Sequence, residues 1–125
     1  MSRRSIYRTL LVGIVALACL SFTQTARAEC DSERCVGKIT RLYPHPTGAV
    51  NPARGVVYIG TDGNETNLAC APVSDVYIAL YPNQKLFKEV YDALLNGITH
   101  NLKMQVRIDP SSSVCKVGYV VIDRE

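Results

Sequence analysis

Downstream of residue 28, the side chains able to do chemistry are four cysteines, two histidines and six tyrosines, with scattered acids. Cys30, Cys35, Cys70 and Cys115 could bind a metal, exchange disulfides or form fixed bridges. A structural zinc site favours closely paired cysteines, and a thioredoxin-like centre needs C-x-x-C at a helix start. Four residues separate Cys30 from Cys35, so neither pattern is met. Fixed disulfides remain, and four cysteines allow three pairings. Cys30 and Cys35 share a short polar stretch, whereas Cys70 and Cys115 each adjoin an apolar run. That favours Cys30–Cys35 with Cys70–Cys115. Loop entropy would make the long bridge worth roughly 4 kcal/mol and the short one about 2.

His45 lies between two prolines and His100 follows an apolar helical stretch. Neither sits in a G-x-S-x-G, H-E-x-x-H or phosphate-loop pattern. Nucleophilic catalysis needs a base beside its nucleophile, and bridged cysteines are not nucleophiles. Asp62-Gly63-Asn64-Glu65 has closely spaced oxygens but lacks the twelve-residue calcium-loop pattern, and reads as a hairpin turn. No catalytic, metal or cofactor set is expected.

Tyr43, Tyr58, Tyr77, Tyr81, Tyr91 and Tyr119 accompany a single phenylalanine after residue 28 and no tryptophan. A tyrosine offers apolar area and a hydroxyl, which suits both cores and interfaces. Tyr91 and Tyr119 read as buried. Val76, Ile78 and Leu80 alternate with Tyr77, Ala79 and Tyr81. If the first set faces the core, Tyr77 and Tyr81 stand about 7 Å apart on the other side of one strand. They are the candidate binding residues, for a glycan, a protein or another copy of the chain.

Residues 1–28 read as a signal peptide. Arg3, Arg4 and Arg8 precede the apolar run Leu10–Leu20, and Ala26-Arg27-Ala28 fits small-x-small cleavage. The run is short for a bilayer span, which takes about 20 residues, so no stable membrane insertion is expected after cleavage. Lipidation at Cys19 and twin-arginine export are weaker alternatives to the general secretory route. Of the 14 basic residues four lie in this segment, and all 11 acidic ones lie beyond it, leaving a net charge of −1. That balance gives no electrostatic footprint for nucleic acid. The expected location is exported, either periplasmic or extracellular.

Residues 29–125 read as one domain. Strands are expected at 36–43, 56–61, 68–71 resuming at 76–81 after a break at Pro72, 104–108 and 115–121. His45–Ala53 reads as a loop. One helix follows Asn83 as cap, with Leu86, Phe87, Val90, Tyr91, Leu94 and Leu95 as its apolar stripe and Gly97 as terminator. The order β-β-β-α-β-β predicts a mostly β, OB-fold-like five-stranded barrel. An α+β sandwich is the alternative.

The segments Cys35–Ile39, Gly55–Ile59, Leu68–Cys70, Leu86–Leu95 and Cys115–Val120 resemble small secreted bacterial proteins of unknown function. Cys70, Phe87, Tyr91, Val106 and Ile108 are more weakly similar to the OB-fold B subunits of AB5 toxins, the subtilase-cytotoxin and pertussis-like group. That second resemblance implies the fold, not a sugar specificity. The expected function is an exported, non-enzymatic binding or interaction protein. A small periplasmic hydrolase or enzyme inhibitor is the alternative, and a structural accessory component a third reading.

Overall fold

A computed structural model describes residues 28–47 and 54–123. The expected signal peptide, apart from Ala28, and residues 48–53 of the expected loop lie outside the described residues. The strands are β1 (Glu29–Cys30), β2 (Arg34–His45), β3 (Val56–Thr61), β4 (Ile78–Leu80), β5 (Lys103–Ile108) and β6 (Val117–Ile122). One helix, α1 (Phe87–Thr99), lies between β4 and β5, and a 3-10 turn spans Glu65–Asn67. The fold is mostly β with one helix.

The ladder runs β4-β3-β2-β5-β6, with antiparallel pairings throughout, and β1 adds to β2. β2 is long because it serves two halves of the sheet. Arg34–Lys38 pair with β5, and Ile39–His45 pair with β3. Pro44 lacks an N–H, yet it is tolerated where β2 beyond Lys38 has a ladder partner on one side only. The two outer strands approach at a single parallel bridge, Ala79 with Lys116. The arrangement is OB-fold-like, but in place of the expected five-stranded barrel the sheet has six strands and does not close into a barrel, its edges meeting only at that one bridge.

Two bulges decide which side chains face the core. In β2 the register steps from Ile39–Thr61 to Arg41–Gly60, leaving Thr40 over. An extra residue reverses the alternation. Ile39 is therefore buried in the main core, while Arg41, Tyr43 and His45 stand on the opposite face. In β6 the step from Arg107–Tyr119 to Ile108–Val117 passes over Gly118. A Cβ on Gly118 would lie 3.1 Å from the Ile108 carbonyl oxygen. Val117 is buried, but Tyr119 is 51% exposed and packs beneath the Arg107 guanidinium, contrary to its expected burial.

The expected third strand is also shorter. Ser74 and Asp75 take positive φ angles of 53° and 62°, and the chain turns back so that Val73 pairs with Tyr77. Only Ile78–Leu80 continues as a ladder strand. The expected hairpin at Asp62–Asn64 gives way to the 3-10 turn, with the Asn64 carboxamide accepting from Thr66 N–H. Glu65, only 4% exposed, accepts from the Thr61 amide and hydroxyl, which satisfies its buried carboxylate.

Helix α1 begins after Leu86, which holds φ at 57° with no side-chain cap. Asn83 does not cap it, because the Gln84-to-Tyr81 and Phe87-to-Gln84 backbone bonds wind two turns between them. Leu86 and Leu95 are 66% and 44% exposed, so the buried stripe is narrower than expected. Leu94 is buried, and Phe87, Val90, Tyr91 and Ile98 pack against the core. Gly97 is not the terminator. It lies inside the helix, where a Cβ would fall 1.9 Å from Met104 Sδ, so it admits β5 to the helix surface. The left-handed residue that ends the helix is Asn101, φ 54°, with Leu102 N–H donating to Gly97 and Asn101 N–H to Ile98. That is the Schellman pattern with asparagine in glycine's usual place.

Both favoured disulfides form. Cys30–Cys35 joins directly opposed residues of the β1–β2 hairpin, 4.0 Å apart at Cα. Its loop is closed by Asp31, whose carboxylate accepts from the amides of Glu33 and Arg34. Cys70–Cys115 ties the segment before β4 to the segment entering β6. Among the described residues, no helix is long and apolar enough to cross a membrane.

Candidate functional site

The register places three rows on one outer face of the sheet. Arg41, Tyr43 and His45 come from β2, and Val56, Tyr58 and Gly60 from β3. Ala79, opposite Tyr58, contributes from β4, with Tyr77 and Tyr81 two residues to either side of it. Val56, Tyr58 and Ala79 are buried and form a second small core, against which Tyr77 and Tyr81 pack partly buried. The two sequence-selected tyrosines therefore meet in one cluster, with Tyr58 as its centre.

Aromatic rings continue across the face. Tyr58 lies 5.7 Å from Tyr77, 6.0 Å from Tyr43 and 6.1 Å from His45, centroid to centroid. Tyr43 meets His45 edge-on at 5.4 Å. These separations fall in the range of favourable ring pairs. Arg41 Nη1 donates to the Tyr77 hydroxyl at 2.9 Å. His45 Nδ1 lies 2.6 Å from the Thr47 carbonyl oxygen, to which it can donate. Tyr43 is 46% exposed although its ring is held by two neighbours. Sequence reasoning missed Tyr43 and His45, since the Thr40 bulge that turns them to this face has no glycine or proline to announce it.

Tyr81 also belongs to a second feature. A cleft of about 490 Å³ lies over the β4–β6 seam, lined by Arg54, Tyr81, Lys85, Asp109, Lys116 and Val117 among others. Gln84 spans its wall: its carboxamide oxygen accepts from Tyr81 N–H at 2.8 Å, and its nitrogen donates to the Val117 carbonyl at 2.6 Å. Lys116 Nζ lies 2.9 Å from Asp109. The bonds from Lys116 and from the Ser111 hydroxyl and amide hold the Asp109 carboxyl well below the usual carboxylate range.

The Tyr81 hydroxyl is buried with no hydrogen-bond partner among the described residues. Burial, and then the neighbouring Tyr58, push its pKa above the ordinary value of 10.0. An unpaired buried hydroxyl costs stability, about 1–3 kcal/mol in general. Tyr81→Phe is therefore expected to be neutral or to stabilise by up to about 1 kcal/mol in urea unfolding. Above pH 10 the unfolded chain ionises this phenol first, so folding weakens as pH rises. The same variant should resist alkaline unfolding better than wild type. A loss above about 1 kcal/mol would show that the hydroxyl is bonded.

His100 Nδ1 lies 3.0 Å from the Asn96 carbonyl at the helix end, remote in sequence from both features. Among the described residues no three His, Cys, Asp or Glu side chains cluster as metal donors. No protein-family model, curated protein or solved structure matches the chain.

Proposed function

We propose that this chain is an exported, non-enzymatic binding protein that holds a glycan against its aromatic face. The observation that carries the reading is Tyr43: a large ring left 46% exposed yet braced by Tyr58 and His45. A ring already fixed loses little conformational freedom when a ligand stacks on it. Arg41, His45 and the Tyr77 hydroxyl border the rings with hydrogen-bonding groups, as sugar hydroxyls require. The two disulfides support passage through an oxidising compartment, periplasmic or extracellular.

The hydrolase alternative has less support. Among the described residues that line the cleft there is no histidine, serine, threonine or cysteine, and the carboxylate of Asp109 is committed to Lys116 and Ser111. That favours holding charge over transferring protons near neutrality.

A glycan array probed with the exported chain tests the proposal. Wild type should select a defined group of glycans, and Tyr43→Ala should weaken that binding roughly tenfold or more. Because Tyr43 is half in solvent, the substitution should cost under about 1 kcal/mol of stability. No selective binding, or selection unchanged in Tyr43→Ala, contradicts the proposal. Capture of a protein through the same face would assign the face to a protein partner instead.

A further inference from the structure

We propose that the cleft over the β4–β6 seam is a second binding site, for the doubly charged oxyanion head of a small organic molecule. Among the described residues, three cations, Arg54, Lys85 and Lys116, line it against one carboxylate, Asp109. The formal balance is +2. Elsewhere in the described structure Arg34, Lys88 and Arg107 each face a carboxylate, while Lys38, Arg41 and Lys103 form no ion pair among the described residues and lie outside this cleft. Arg54 and Lys85 have no ion-pair partner among the described residues, and they share this cleft. Lys116 is only partly neutralised by a carboxylate that also accepts from Ser111.

The walls are organised before any ligand arrives. Gln84 uses both ends of its carboxamide to fasten the segment after β4 to β6. The Asp109 amide donates to the Lys116 carbonyl at 2.8 Å, which fixes the other side. Arg54 and Lys85 are thereby available to an anion beside the Lys116–Asp109 pair, with little ordering cost to the backbone. A bare oxyanion fills only part of about 490 Å³, a volume in the range of small-molecule sites. Val117 and the Tyr81 ring supply apolar wall for the rest of such a molecule. A phosphate monoester and a dicarboxylate share the required chemistry.

The test is calorimetric titration of the exported protein at low ionic strength with inorganic phosphate, glycerol phosphate and succinate. At least one probe should saturate at one site per chain. Arg54→Gln combined with Lys85→Gln should weaken that binding roughly tenfold or more, since charge-assisted bonds are lost. Asp109→Asn, which frees Lys116 and can still accept from Ser111, should tighten it severalfold. Tyr43→Ala and Lys88→Gln should leave it unchanged, which separates this site from the aromatic face. Saturation by the phosphoryl probes alone assigns the head group as phosphoryl, and by succinate alone as dicarboxylate. No saturation by any probe, binding by the double variant within a factor of two of wild type, or loss caused by Tyr43→Ala overturns the proposal.

Discussion

Removing the Cys70–Cys115 bridge is expected to cost about 4 kcal/mol, as replacement of both cysteines by serine measured in urea should show. The closed loop is long, with the two residues 45 apart in sequence, so the unfolded chain gains much freedom when it is cut. The folded side of the balance is local and specific. Ala71 N–H donates to Ser113, Cys115 N–H to Ala71, and Ala79 N–H to Cys115. These bonds and the Ala79–Lys116 bridge make up the seam that brings the sheet edges together. Amides of Ala79 and Cys115 should exchange faster in the variant, and the cleft above the seam should lose its affinity for anions. A cost below about 1 kcal/mol would mean that the sheet edges hold without the bridge.

Leu94→Ala is expected to cost about 2–5 kcal/mol, because Leu94 is fully buried where α1 meets the sheet core. Leu95→Ala, one residue away, should cost less than Leu94→Ala by at least about 1 kcal/mol, since Leu95 is 44% exposed. The pair is informative because periodicity assigns both leucines to one apolar stripe. Urea unfolding of the two variants separates them. Equal losses would mean that the helix is rotated from the orientation described.

The order of β2 to β6 with the helix between β4 and β5 was legible because its signals are local, whereas the two-residue β1 in a polar stretch carries no such signal. Met104, Val106 and Ile108 alternate cleanly and are all buried, and the apolar positions of α1 recur at helical spacing. The disulfide partners were legible from which cysteines adjoin strand-like runs. Parity beyond a bulge was harder to read. Gly118 offered a signal, since an isolated glycine in a strand pattern marks such an irregularity. Thr40 offers none, so by pattern alone Tyr43 and His45 read as the end of a strand and the start of a loop. The second core around Tyr58 was hidden for the same reason, as it depends on three strands reaching one face. Seam and cleft come from residues far apart in sequence, and no periodicity connects Gln84 with Val117.

Amide chemical-shift mapping tests binding at the aromatic face. The chain, labelled with nitrogen-15, would be titrated with the best glycan from the array. Shifts should concentrate at Arg41–Tyr43 and His45, at Tyr58–Gly60 and at Tyr77, with the outer face of α1 unmoved. Shifts centred on α1 or on the exposed side of β6, with the Tyr43 and Tyr58 amides unmoved, would contradict it.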